Sequence, residues 1–113
     1  RNMLYVESNG TIRLTRGDSA RFKVTIQQPD ENDEYIIQPG DTLRMTVKKS
    51  TDDTQSLVRK VVVGASTFYF EPTDTERLAY GKYKYDVEIT TESGDVYTVI
   101  EPTTFELLQE VTW

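Results

Sequence analysis

Cysteine and histidine are both absent from the 113 residues. Without them the chain offers no disulfide, no thiolate nucleophile, no Cys- or His-ligated metal site, no Ser-His-Asp or Cys-His pair and no imidazole switch. Alanine is scarce, with three copies, so the best helix former is nearly missing. Long apolar runs are missing as well: Met3-Leu4-Tyr5-Val6 is the longest, against the roughly 18 residues of a membrane span. Carboxylate, Lys, Tyr or Ser chemistry stays open, but no motif raises it. The expectation is a soluble, non-enzymatic protein with no cofactor and no metal.

What is present is one domain's worth of chain, residues 1–113, with a surplus of acid. Thirteen Lys and Arg face 19 Asp and Glu, for a net charge of −6 and a pI near 4.6. That field repels phosphate backbones and anionic lipid heads, so neither nucleic acid nor membrane is an expected partner. The N-terminus lacks the layout of a secretory signal, because its apolar part stops at Val6 and Glu7 follows. If Met3 is the initiator, Arg1 and Asn2 lie outside the natural product, which is then expected in the cytosol. A trimmed chain is the rival explanation.

Sixteen Thr, 11 Val and 6 Ile predict pleated structure, since residues stiff at χ1 fit strands better than helices. Period-two alternation runs through Thr11–Thr15, Ala20–Gln27 and Thr42–Lys48, with Ile12, Leu14, Phe22, Val24, Ile26, Leu43, Met45 and Val47 inward. Further runs are Ser56–Val63, Thr67–Glu71 (Phe68 and Phe70 inward) and Lys82–Thr90 (Tyr83, Tyr85, Val87 and Ile89 inward). The last stretch is expected to break at Pro102 into Val96–Ile100 and Thr104–Val111, the second with Phe105, Leu107 and Val111 on one face. Residues 1–10 read as a leading strand, Met3 to Glu7, and the turn Ser8-Asn9-Gly10. Short links at Arg16–Ser19, Gly64–Ser66 and Glu92–Asp95 imply antiparallel neighbours. The fold class expected is all-β, a Greek-key sandwich of about seven or eight antiparallel strands.

Several residues invite functional readings. Tyr83, preceded by Leu78 and Gly81, is placed to bond backwards to the loop before its strand and pin a structural corner. Asp30-Glu31-Asn32-Asp33-Glu34 alternates oxygen ligands as a calcium loop does, but Tyr35 stands where the loop glycine belongs, so a solvated loop is preferred. Arg16-Gly17-Asp18 spells an adhesion tripeptide, yet its place between two strands reads as a tight turn. Arg44 is expected near Glu88 if their strands pair, and Arg59-Lys60 is expected to guard a sheet edge. Among the spare aromatics Tyr35, Tyr69, Tyr80, Tyr97 and Trp113, the partner-contact candidates are Tyr69, Tyr97 and Trp113.

The series Thr11–Ser19, Arg21–Ile26 and Gly40–Lys49, continued by Phe68–Phe70, Asp74-Thr75, Leu78–Val87 and Phe105–Thr112, resembles small phage and prophage structural domains. It is similar to the N-terminal module of upper baseplate proteins in siphophages of Gram-positive bacteria, over nearly the whole chain from Thr11. The resemblance implies an Ig-like sandwich used for tail or baseplate assembly, with no catalytic residues to carry over. The chain departs from the pattern in ending at Trp113 without a following coiled coil or receptor-binding part. The expected function is a non-enzymatic virion protein contacting other virion proteins or itself, located in the virion or in host cytoplasm during assembly. The alternative is an exported, extracellular Ig-like adhesion or glycan-binding module.

Overall fold

The computed structural model describes residues 5–6, 10–26 and 34–110. Strands make up 52% of them, so the chain is all-β as its Thr- and Val-rich composition predicts. The strands are β1 (Tyr5–Val6), β2 (Ile12–Thr15), β3 (Ala20–Lys23), β4 (Thr42–Lys48), β5 (Val58–Val63), β6 (Thr67–Phe70), β7 (Gly81–Thr90) and β8 (Val96–Leu108). One helical turn, α1 (Pro72–Thr75), stands between β6 and β7. Proline opens it, where a missing N–H costs nothing, and the Glu71 amide donates to Asp74 Oδ2 at 2.7 Å.

A six-stranded mixed sheet runs in the order β1-β2-β8-β7-β4-β5, and β3 pairs with β6 in a separate two-stranded ribbon. The ribbon lies over one face of the large sheet: Phe22 meets Tyr85 edge-on at 6.1 Å, and Phe70 stacks on Phe105 at 5.7 Å between centroids. Inward residues alternate as expected on β2, β3, β4, β6 and β7. They form one core with Phe105 and Leu107 of β8. Burying such a set of aromatic and branched side chains supplies the main driving force for this fold.

Three expectations need correction. The strands are not all antiparallel, because β2 runs parallel to β8 with Ile12 opposite Phe105 and Leu14 opposite Leu107. Short links rule out parallel neighbours only for consecutive strands, and these two are separated by most of the chain, so apolar phase alone sets their register. Of the three short links, only Glu92–Asp95 closes a hairpin; Arg16–Ser19 and Gly64–Ser66 step from the large sheet to the ribbon. The third correction concerns Pro102, which does not break the last strand. β8 continues through it, with register shifts against β7 between Tyr85 and Val87 and between Val87 and Glu88. Proline and the extra residues are absorbed as bulges where β2 does not reach, so no ladder bond is lost. Of the leading strand, Tyr5 and Val6 pair antiparallel with β2. The rest of residues 1–9 lies outside the described residues, as does Val111.

Candidate functional site

Tyr83 enters β7 two residues after Gly81, with its ring buried and its hydroxyl donating to the Ala79 carbonyl at 2.6 Å. Gly81 holds φ at +134°, a conformation side chains rarely adopt, and this lets the chain swing from the loop into β7. Leu78 packs against the core and donates its amide to the Thr75 carbonyl at 2.9 Å. The three corner candidates therefore meet in one bend, and the Tyr83 hydroxyl is engaged by backbone.

The Arg16-Gly17-Asp18 turn does not present its arginine. Arg16 reaches the Leu78 carbonyl at 3.1 Å, the Tyr80 hydroxyl at 2.8 Å and Glu110 Oε1 at 3.1 Å, with its guanidinium 4.1 Å from the Tyr80 ring centroid. Tyr80 donates in turn to Glu110 Oε1 at 2.7 Å. That bond, aided by Arg16, holds the Glu110 carboxyl below its ordinary pKa; the same bond pushes the Tyr80 hydroxyl up. Gly17, at φ +83°, gives its amide to Thr75 Oγ1 at 2.9 Å. The tripeptide is a clasp between the start of β3, the α1–β7 loop and the end of β8.

At the opposite end of β7 a second knot forms around Asp41, which is fully buried. Its carboxylate accepts from the Tyr35 hydroxyl at 2.6 Å, the Gln38 amide at 2.8 Å and the Glu92 amide at 3.0 Å. Its own carbonyl takes the Gly64 amide at 2.8 Å. Burial opposes ionisation of Asp41, but the three hydrogen bonds outweigh it and hold the pKa below the usual carboxyl value. The same bond, with burial, pushes Tyr35 up to about 12. The sequence reading gives Asp41 no role: Tyr35 and Gln38 are close in the chain, but the knot closes only through Glu92, 51 residues on.

The outer face of the large sheet is different, since its charges are only partly matched. It carries Arg13 on β2; Arg44, Thr46 and Lys48 on β4; Arg59 on β5; Lys82, Lys84, Asp86 and Glu88 on β7; and Glu106 on β8. Arg13 pairs with Glu106 at 3.4 Å and Arg44 with Glu88 at 3.3 Å, the second pair as the register expectation required. Lys48 stands directly opposite Lys84. Among the described residues Lys82, Lys84 and Asp86 make no ion pair. Burial and the neighbouring Glu88 push the Asp86 carboxyl up, against the pull of Lys48. A shallow depression of about 240 Å³ opens here, lined by Arg44, Thr46, Lys48, Lys84, Asp86 and Pro102 among others. At the sheet edge Val61 (54% exposed) and Val63 (63%) extend the face with apolar surface. Lys60, the second edge cation of β5, turns away and pairs with Asp74 at 2.7 Å.

The partner-contact candidates are not brought together. Tyr69 is 42% exposed on the outside of the ribbon, with the Arg21 guanidinium 5.1 Å from its ring centroid. Tyr97 is 56% exposed on β8 of the large sheet. Trp113 lies outside the described residues, as do 30–33 of the acidic loop. Among the described residues no helix is long and apolar enough to cross a membrane, and no group of three or more carboxylates is placed to hold a metal ion. The candidate site is thus an open, mixed-charge sheet face fit for ion pairing with a complementary surface. No family model, curated protein or solved structure matches this chain.

Proposed function

We propose that the chain is an Ig-like Greek-key sandwich acting as a non-enzymatic assembly component of a phage or prophage tail or baseplate. The Ig-like reading rests on the sheet order, with β2, β8, β7, β4 and β5 on one side and β3 with β6 on the other, and on the backward bond of Tyr83 at the start of β7. The single observation that carries the functional reading is how the polar groups are spent. Asp41, Tyr35, Tyr83, Arg16, Tyr80 and Glu110 all tie loops together, whereas the unmatched charges lie on an open sheet face beside exposed valines. Such a face binds by complementarity across an area rather than by enclosing a small molecule.

The test is mass spectrometry of gradient-purified particles from the producing host. Stoichiometric presence of the chain in tails or baseplates supports the proposal; recovery only from the soluble lysate overturns it. The alternative, an exported glycan-binding module, draws on the exposure of Tyr69 and Tyr97, but the two rings lie on different sheets and share no platform. Glycan-array binding lost in Tyr69→Ala or Tyr97→Ala would favour it.

A further inference from the structure

The outward residues of β7 read Lys82, Lys84, Asp86, Glu88: two cations and then two anions along one strand. Across the sheet the arrangement leaves two poles unmatched. At one, Lys84 faces Lys48, and like charges directly opposite destabilise a strand pair. At the other, half-buried Asp86 makes no hydrogen bond or ion pair among the described residues, and only Thr46 faces it across the strands. Among the described residues no ion pair relieves either pole, and only the pull of Lys48 acts on Asp86 from across the strands.

We propose that this face pairs with the same face of a second copy, through a two-fold axis that lies between the two sheets, perpendicular to the strands, and crosses β7 between Lys84 and Asp86. This deepens the assembly reading above and rests on it. The operation sets Lys84 over Asp86 of the partner subunit and Lys82 over Glu88 of the partner subunit, and each contact occurs twice. On β4 it sets Lys48 over Thr46 of the partner subunit, so no two cations stand directly opposite each other there. A two-fold axis along the strand would stack Lys84 on Lys84 and Asp86 on Asp86, so the charge series itself selects the orientation. The depression lined by Asp86 and Glu88, together with Arg44, Lys48 and Lys84, gives the incoming Lys84 room beside its carboxylate partners. Partial burial has already removed water from the Asp86 carboxyl, which strengthens its attraction to that cation.

The experiment is sedimentation equilibrium of the full chain at low salt, about 50 mM, repeated at about 500 mM, where screening weakens such pairs. The wild type is expected to be a dimer at low salt that dissociates as salt rises. Lys84→Glu and Asp86→Lys are each expected to weaken dimerisation roughly tenfold or more, while an equimolar mixture of the two variants regains the dimer mass. Circular dichroism confirms that each variant is folded, and Arg21→Glu, on the outside of the ribbon, is expected to leave the dimer intact. A wild type that is monomeric at every concentration, a dimer indifferent to both variants, or a mixture that stays monomeric would each overturn the proposal. A monomer that is nonetheless present in purified particles would sink this interface and leave the assembly function standing. A dimer absent from particles would do the reverse.

Discussion

The two ends of β7 do the same job with opposite chemistry. At its end, Asp41 is a buried carboxylate gripped by one hydroxyl and two amides, drawing together residues 35–41 and the β7–β8 hairpin, while its carbonyl holds Gly64. At its start, Arg16, Tyr80 and Glu110 form a charged clasp with partial access to water, with Arg16 Nε buried and unpartnered among the described residues. Protonating a buried carboxylate turns one of its acceptor oxygens into a donor that faces groups it had accepted from. A surface clasp that opens is rehydrated. The fold is therefore anchored asymmetrically, with the hairpin end tight and the clasp end easier to loosen.

The sharpest way to break this comparison is Asp41→Asn, which sets an amide N–H against a donor that the carboxylate accepted. A loss of about 3 kcal/mol in denaturant unfolding is expected, and a loss below about 1 kcal/mol would show that the knot does not anchor its end. The pH dependence has a fixed sign. The folded pKa of Asp41 is depressed, so its contribution is complete above the ordinary carboxyl value near 3.9 and disappears as pH falls through the depressed value. Tyr35 and Tyr85 are both raised to about 12, so their contribution is complete below the ordinary tyrosine value near 10 and is lost as pH climbs toward 12. Melting temperature against pH should show a plateau eroding on both sides, and Asp41→Asn should flatten the acid limb.

Next in size is Gly64→Ala at the same end. Gly64 sits at φ +68° with the Pro39 carbonyl oxygen 3.1 Å from where a methyl would stand, and a loss of about 1–2 kcal/mol is expected. Tyr83→Phe removes one hydrogen bond at the other end and leaves the ring packed, for about 1 kcal/mol, measured the same way. The smallest effect is expected from Glu110→Gln, within the scatter of ordinary surface substitutions and measured by thermal melting. Should Glu110→Gln rival Asp41→Asn, the ranking of the two ends would be reversed.

How much of this was legible follows from how far apart the interacting residues lie. The inward phase of Leu43-Met45-Val47 and of Tyr83-Tyr85-Val87-Ile89 could be read because it is written in neighbouring residues. The Arg44–Glu88 pair followed once β4 and β7 were assumed adjacent. Asp41 was passed over because its role depends on Glu92, which no periodicity links to it. The parallel β2–β8 pairing escaped for the same reason, and α1 is too short to carry a helical period. The adhesion tripeptide was visible as letters, but that its arginine folds inward depends on Tyr80 and Glu110.

The bulged half of β8 has a consequence for a molecule held at high local concentration. Among the described residues no strand pairs with residues 96–102 on the side away from β7, since β2 pairs only with 105–108. Pro102 contributes no N–H there, and the inserted residues throw the remaining donors and acceptors out of step, so a foreign strand cannot zip along it. Growth by edge accretion into fibres is thereby hindered on that side.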